Sequence, residues 1–522
     1  MKRLSIILGA ICLSLICVAC SSSPENPETK NDFIMPENAE HFPVIKIVST
    51  KNDGSNDFIT KPIAKHVKDS QQSWGDFRNK NAPDPWYEDC DIYDGENLIG
   101  SGKVKVRGNW TTEYPKKSLR IKFDKKQKMF GLNSDGEFKN WVLLAAWKDS
   151  SFLRDAVGLK LYHKLFSGYA SDCRLVEVEA NGTSLGVYLL AEQQEAKRLG
   201  LTEPEKNSSN TDIGYLIEFD SYSYTEVENE QFYIDYIGKI KDYNGTVLRD
   251  VQNGYTIQSD VNDKAQHDFI ADYMNKLWKI CYEAVYNHKY YKFTDSYELK
   301  EYVPAGADEN QKCENCISEI IDLDSLADFY IFNEIVCDPD LYLTSFFMNV
   351  DFGKGKDKKL YFNAPWAFDS TMGNKSFAIE NTSKENFQKR NMSKIDEMYA
   401  GLCQTDVNCS DPKVHANPWM VIFIREAWFL NIVKDRWGKL NISAALSEIC
   451  TFIDEQSSDE YQPVYNFTRA VWGTSSENTE LCEASRIAAR QSQKASAEYL
   501  KDWLSKRISA VGNIISSLEP KN

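Results

Sequence analysis

Arg107-Gly108-Asn109-Trp110-Thr111-Thr112-Glu113-Tyr114-Pro115-Lys116-Lys117-Ser118-Leu119-Arg120-Ile121-Lys122-Phe123 is the most informative stretch of this chain. Strand side chains project to opposite faces in turn, so Leu119, Ile121 and Phe123 share one face and predict a strand over 118–123 lying on a core. Lys117 has the same parity and points toward the core side. Lys116, Arg120 and Lys122 project the other way and read as a solvated face. A buried ammonium is costly unless an anion meets it. Either a carboxylate or phosphate meets Lys117, or the side chain snorkels from the strand's edge back to water.

Working outward, Val44–Val48, Lys103–Val106, Leu175–Val178 and Gly186–Leu190 carry further strand signals, and Asn181-Gly182 between the last two reads as a hairpin turn. One helix interrupts them at about 150–165, with Ser150 or Ser151 as cap and Leu153, Val157, Leu161 and Leu165 on one face. After Val261 the pattern becomes helical, at roughly 262–287, 322–337, 417–438, 442–455 and 480–518, with a β insertion near 344–369. Segments 200–212, 222–250 and 374–390 are polar and read as loops. The expected fold is α+β, with a β-rich part over 43–260 and a mainly helical part over 261–522.

Leu323, Leu326, Tyr330, Asn333 and Cys337 follow helical spacing, and Pro339 helps stop that helix. Asp338 and Asp340 therefore fall at a helix exit, where the negative end of the dipole disfavours carboxylates and hints at a nearby cation. Ser345–Val350 and Lys358–Phe362 flank Gly353-Lys354-Gly355-Lys356-Asp357 and predict a hairpin. A hairpin returns the chain to its start, which brings Asp340 near Asp369. Two converging carboxylates with an inward lysine make a cage for a metal-bound polyphosphate; the other reading is two unrelated loop aspartates.

With 522 residues, 42% hydrophobic, 12% aromatic and 26% charged, the composition is globular and corresponds to two to four structural units. Sixty-one basic against 77 acidic residues leave a formal charge of -16, which disfavours nucleic acid as a partner. Lys2 and Arg3 precede an apolar run to Ala19 and then Cys20, an export signal over 1–19 followed by a polar tether over 20–42. Ten cysteines lie beyond Cys20, an even number that favours disulfides in an oxidising compartment. Cys313 and Cys316 form an isolated CxxC, a disulfide or free-thiol pair before a zinc site. Neither a nucleophile elbow nor HExxH supports a hydrolase.

Several ordered motifs resemble the spore-coat protein H (CotH) kinase-like family. They are Arg107-Gly108-Asn109, Tyr114-Pro115-Lys116-Lys117-Ser118, Leu153-Arg154-Asp155, Asn181-Gly182 with Gly186 to Gln193, Asn333-Glu334 with Asp340, and Pro365-Trp366-Ala367-Phe368-Asp369-Ser370-Thr371-Met372-Gly373-Asn374. The resemblance implies an atypical protein-kinase-like fold, with a β-rich lobe and a helical lobe closing on ATP and magnesium or manganese to phosphorylate protein hydroxyls. It implies that Lys117 or Lys116 holds ATP phosphates, that Asp340 orients the acceptor hydroxyl, and that Asp369 holds the metal. Tyr188 to Gln193, Glu192 included, resembles the strand and hinge beside the nucleotide base. The start of the chain resembles a bacterial lipoprotein signal, which implies lipidation at Cys20 and an extracytoplasmic body held to a membrane through that lipid alone. One position departs: Ala367 stands where the family commonly has an acidic residue. The alternatives are a catalytically impaired pseudokinase and a non-enzymatic surface adhesin or scaffold; the expected partner is a protein substrate or surface partner.

Overall fold

The computed structural model describes residues 39–51, 53–61, 86–108, 110–133, 136–221, 223, 230–235, 239–248, 254–375, 395–405 and 414–521. Residues 1–38, on which the expected export signal, Cys20 and most of the expected tether fall, and residues 376–394 lie outside the described residues.

Seven strands form a closed barrel. They are β1 (Val44–Ser49), β2 (Glu88–Asp94), β3 (Asn97–Val106), β4 (Leu119–Gln127), β5 (Phe138–Leu144), β6 (Cys173–Ala180) and β7 (Thr183–Glu192), in the order β1-β2-β3-β4-β5-β7-β6. The ring closes through β1, parallel to β6 and antiparallel to β2. Closure leaves no strand edge open to another chain. The alternation along β4 is as expected: Leu119, Ile121 and Phe123 are buried in the barrel core with Ile45, Val104, Trp141 and Val178, and Lys122 faces outward. Lys116 and Lys117 precede the strand in a bent segment, so strand parity does not extend to them. Asn181 and Gly182, at φ 48° and 79°, turn β6 into β7 with Ala180 opposite Thr183. Those angles suit the tight primed turn that matches strand twist.

A second sheet combines β8 (Gly214–Asp220), β9 (Gln231–Tyr233) and β10 (Gly254–Ile257) with a later hairpin. β11 (Tyr291–Phe293) and β12 (Leu299–Glu301) form their own ladder, and β13 (Phe346–Asp351) and β14 (Tyr361–Phe362) are the expected hairpin. The sheet order is β14-β13-β8-β10-β9. β13 runs antiparallel to β8 from Phe346 opposite Phe219 to Asp351 opposite Gly214. The boundary expected at residue 260 thus does not coincide with a boundary between sheets. Strands up to residue 257 hydrogen-bond to strands after 345, and both share one core with the helices.

The helices are α1 (Asp57–Thr60), α2 (Arg154–Leu165), α3 (Lys264–Asn287), α4 (Glu309–Ser318), α5 (Leu323–Val336), α6 (Pro418–Val421), α7 (Ala427–Lys439), α8 (Ile442–Gln456), α9 (Gln462–Trp472), α10 (Glu483–Gln491) and α11 (Gln493–Ser516). The helix expected over 480–518 breaks at Ser492, whose side chain accepts from Ala495 N and caps α11. Ahead of α2 the capping acceptor is neither Ser150 nor Ser151 but Asp149, which accepts from Ser151 N at 3.0 Å and Arg154 N at 2.8 Å. α9 lies against the barrel: Val187 N donates to Thr468 Oγ1 at 3.0 Å. Gly186 permits this approach, because a Cβ there would stand 2.2 Å from that oxygen.

The expectation of disulfides is corrected. None of the nine described cysteines is joined to another by a disulfide, and seven of them are buried, including Cys313 and Cys316. An even count indicates compartment and not proximity, and these residues serve as small apolar core groups.

Candidate active site

Two turns meet at the end of α5. The first follows its C-cap Cys337, at φ 49°, and carries Asp338 and Asp340. Asp340 N donates to Asp338 Oδ1 at 2.9 Å, and Tyr399 Oη donates to Asp338 O at 2.7 Å. The second turn follows β14 and carries Ala367, at φ 65°, then Phe368 and Asp369. Met372 N donates to Val336 O at 2.8 Å, which sews this second turn onto the end of α5.

α2 clamps the second turn from another side. Asp155 Oδ1 accepts from Phe368 N at 2.7 Å, and Arg154 Nε donates to Thr371 O at 3.2 Å. Arg154 is also ion-paired with Asp149, both side chains fully buried. Gly158 leaves room for the Phe368 ring, which a Cβ would meet at 2.4 Å. The C-terminal helices supply a third support. Gly373 O accepts from Tyr499 Oη at 2.8 Å and Cys482 Sγ at 2.9 Å, and Cys482 N donates to Asn374 O at 2.9 Å. Left-handed backbone in a non-glycine residue costs roughly 1–2 kcal/mol. At Ala367 the hydrogen bonds on both sides hold it.

Charges then fill the space between the turns. Lys148 Nζ lies 3.5 Å from Asp369 Oδ1, and Lys375 Nζ lies 2.9 Å from Asp340 Oδ1. Lys148 is 8% exposed, whereas the two aspartate side chains keep 20% and 22% of their surface open. Burial opposes charge on Lys148, but Asp369, with Asp340 behind it, outweighs burial and holds the ammonium protonated. Burial likewise pushes against ionisation of Asp340, yet Lys375 and Lys148 together hold its carboxyl below the usual range. Asp338, buried beside Asp340, is driven well above that range. Burial and then Asp369 push the Asp155 carboxyl up to about 7. Tyr114 stacks on Trp147 at 4.9 Å, next in sequence to Lys148.

The sequence-derived residues divide. Asp340 and Asp369 come together, each facing a lysine, and Lys148 feels both. Lys117 and Lys116 have no carboxylate partner among the described residues. Lys117 Nζ donates to Thr112 O and, at 3.0 Å, to Tyr114 O. Lys116, 1% exposed, donates to Val187 O and, at 2.9 Å, to Ala145 O, with its ammonium 4.0 Å above the Tyr188 ring. Both staple the loop that carries Tyr114. Glu192, 2% exposed, is ion-paired with Arg198 at 2.6 Å and accepts from Asp172 N at 2.9 Å.

Residues missed by the sequence reading are Lys148, Lys375 and the guanidinium pair Arg107 and Arg120. Lys148 sits between β5 and α2, where no periodicity marks an inward side chain. Arg107 lies over the Trp366 ring at 5.5 Å; burial and Arg120 lower its pKa, while Glu218 and Asp155 raise it. Arg120 Nε is buried with no hydrogen-bond partner in the structure, which departs from the solvated face expected of that side chain. The signal available for Asp155 was its place in Leu153-Arg154-Asp155, read only as part of a resemblance.

Asp340 and Asp369 offer oxygen donors alone, the chemistry that suits magnesium or manganese. Among the described residues no group of three or more His, Cys, Asp and Glu forms a metal cage. Magnesium in phosphate-handling sites is held by one or two carboxylates together with the substrate's phosphates, so two partly open aspartates fit it.

The family model described as CotH kinase protein matches residues 104–511, from inside β3 into α11. The match takes in both turns, the α2 clamp and the C-terminal support. No match to the chain was found among curated proteins. The chain belongs to the CotH kinase protein family.

Proposed function

We propose that the chain transfers phosphate from ATP to a protein hydroxyl, with the barrel and the helical part acting as the two lobes of a kinase-like fold. The observation that carries this reading is the convergence of Asp340 and Asp369 with Lys148 and Lys375 at one partly open place. Lys148 takes the phosphate-holding role that the resemblance implied for Lys116 or Lys117, because it is the buried ammonium facing the carboxylates. An incoming triphosphate competes with Asp369 and Asp340 for Lys148 and Lys375, which frees the carboxylates and neutralises the phosphates. Asp369 would hold magnesium or manganese, which supplies charge neutralisation at the transferring group. Asp340, ionised at neutral pH, orients the acceptor hydroxyl and accepts its proton; phosphoryl transfer through a loose transition state asks more for alignment than for a strong base.

A second reading, a nucleotide-binding pseudokinase, is favoured by Ala367. A methyl group stands there in place of the family's acidic residue, which leaves that turn one oxygen ligand poorer. In both readings the body is extracytoplasmic, lipidated at Cys20 and directed at a protein partner. The supports are the sequence of residues 1–27 and the protein-phosphorylating association of the family.

The test incubates the purified chain with labelled ATP, magnesium or manganese, and an acceptor protein mixture, beside Asp340→Asn, Asp369→Asn, Lys148→Met and Lys117→Ala. Transfer is expected in the wild type and should drop by at least about a hundredfold in the first three. Lys117→Ala should retain far more than Lys148→Met. Thermal stabilisation by ATP without transfer establishes the pseudokinase, and no response to ATP overturns both readings.

A further inference from the structure

The Tyr114-Pro115-Lys116-Lys117-Ser118 motif gives no carboxylate or ammonium to the acidic site, yet its side chains fasten one loop onto another. Lys116 Nζ donates to Ala145 O at 2.9 Å, Ser118 Oγ accepts from Ala145 N at 3.0 Å, and the Tyr114 ring stacks on Trp147 with centroids 4.9 Å apart. Lys117 ties the loop to itself by donating to Thr112 O and, at 3.0 Å, to Tyr114 O. The β3–β4 loop is thereby docked along 145–147, the segment that leads from β5 into Lys148. That segment is fixed in turn: Lys148 O accepts from Ser475 Oγ at 2.9 Å and from Asn374 Nδ2 at 3.2 Å, and Asn374 adjoins Lys375.

The docking delivers a phenol to the site. The charged groups that act on it are, in falling order, Lys148, Glu480, Asp369 and Lys375, and Lys148 feels Tyr114 more strongly than it feels Asp340. Three of those four groups are the ones already placed between the two turns. Among the described residues Tyr114 Oη has no hydrogen-bond partner, and the side chain is half-buried. Burial pushes the phenol up to about 12 against the pull of Lys148, so the hydroxyl keeps its proton and meets an anion as a donor. A ring held still with its hydroxyl unpaired has lost its rotational freedom before a ligand arrives, which favours binding.

We propose that Tyr114 contacts the substrate phosphates: its Oη–H donates a hydrogen bond to an oxygen of the triphosphate that Lys148 and Lys375 hold. This rests on the phosphate-holding reading of the acidic site. Hydrogen bonds to an ionised acceptor are about twice as strong as neutral ones, and a phenol on a fixed ring adds direction where ammonium groups act as point charges. The two motif lysines then serve the triphosphate through the tyrosine they position, without touching it.

The test titrates the purified full chain with magnesium tripolyphosphate by calorimetry, beside Tyr114→Phe and Lys148→Met. Tyr114→Phe removes one oxygen and keeps a ring on Trp147. The thermal midpoint of the free protein should therefore stay unchanged while the dissociation constant rises about tenfold. Lys148→Met should weaken binding further. Equal affinity of wild type and Tyr114→Phe, with Lys148→Met weakened, overturns the Tyr114 contact and leaves the phosphate-holding reading standing. Weaker binding by Tyr114→Phe together with a lowered midpoint assigns the effect to packing and overturns the contact as well. No binding of tripolyphosphate by the wild type removes the phosphate-holding reading itself, and this inference with it.

Discussion

Asp155 shows how one carboxyl serves both scaffold and site. It accepts the Phe368 N–H that stabilises the left-handed turn at Ala367, and burial beside Asp369 raises its pKa to about 7. An acid whose folded pKa lies above its unfolded value holds its proton more tightly in the native state. The stability this group contributes is therefore full below about pH 4 and is lost as pH rises through about 7. Glu218, pushed up to about 8 by burial and Asp220, adds the same sign. We expect Asp155→Asn, without added divalent cation, to reduce the loss of unfolding free energy between pH 5 and pH 8 by about 2 kcal/mol. Urea unfolding at the two pH values measures it, and an unchanged difference would refute the account. Among single residues, Asp340 and Asp369 were legible because a hairpin, a local device, brings them together. Lys148 was not, because its role depends on a loop conformation held by Asp149, Asn374 and Ser475.

At the scale of elements, α11 reaches the site without contributing a charged group to it. Tyr499 and Trp503 pack at Gly373, and Arg507 is paired with Glu334 of α5 at 2.8 Å, both side chains fully buried. Arg507 also donates to Ile395 O at 2.8 Å and Glu397 O at 2.7 Å, while Glu334 accepts from Tyr399 N and Ala400 N. One ion pair thus fixes α5, α11 and the 395–400 segment that holds Asp338. Removing one partner strands a buried charge, so Arg507→Met should cost about 3–5 kcal/mol in urea unfolding. The exposed pair of Lys494, on the same helix, with Asp459 of the turn between α8 and α9 should give no measurable change on Lys494→Met, and equal losses in the two variants would contradict this division. Apolar periodicity made α5 and most of α11 legible. It did not show their connection, since Glu334 on α5 reads only as one more helical residue, nor the break at Ser492: serine favours a cap over a helix interior, but apolar periodicity does not record that preference.

Across the whole molecule, alternation along single strands was readable, but closure was not, because a parallel pairing of β1 with β6 leaves no local signature. The same limit explains why the strands over 214–257 were assigned to the front part of the chain: sequence order carries no record of the hairpin they join. Cysteine parity failed for a related reason, since counting says nothing of separation. Unreduced protein titrated with a thiol reagent should expose at least nine reactive thiols in denaturant and far fewer when native, because among the nine described cysteines seven are buried and Cys403 and Cys450 are partly open. Fewer than nine in denaturant would reveal disulfides after all. The placement of β1 has one more consequence. Its first residue, Val44, follows Phe42 and Pro43 at the end of the leading segment, and its backbone is bonded on both sides, to β2 and β6. Tension applied through that segment pulls along the strand and across its ladders. Many bonds must then slide and rupture together instead of unzipping singly, and the body is built to withstand being hauled by its leading end.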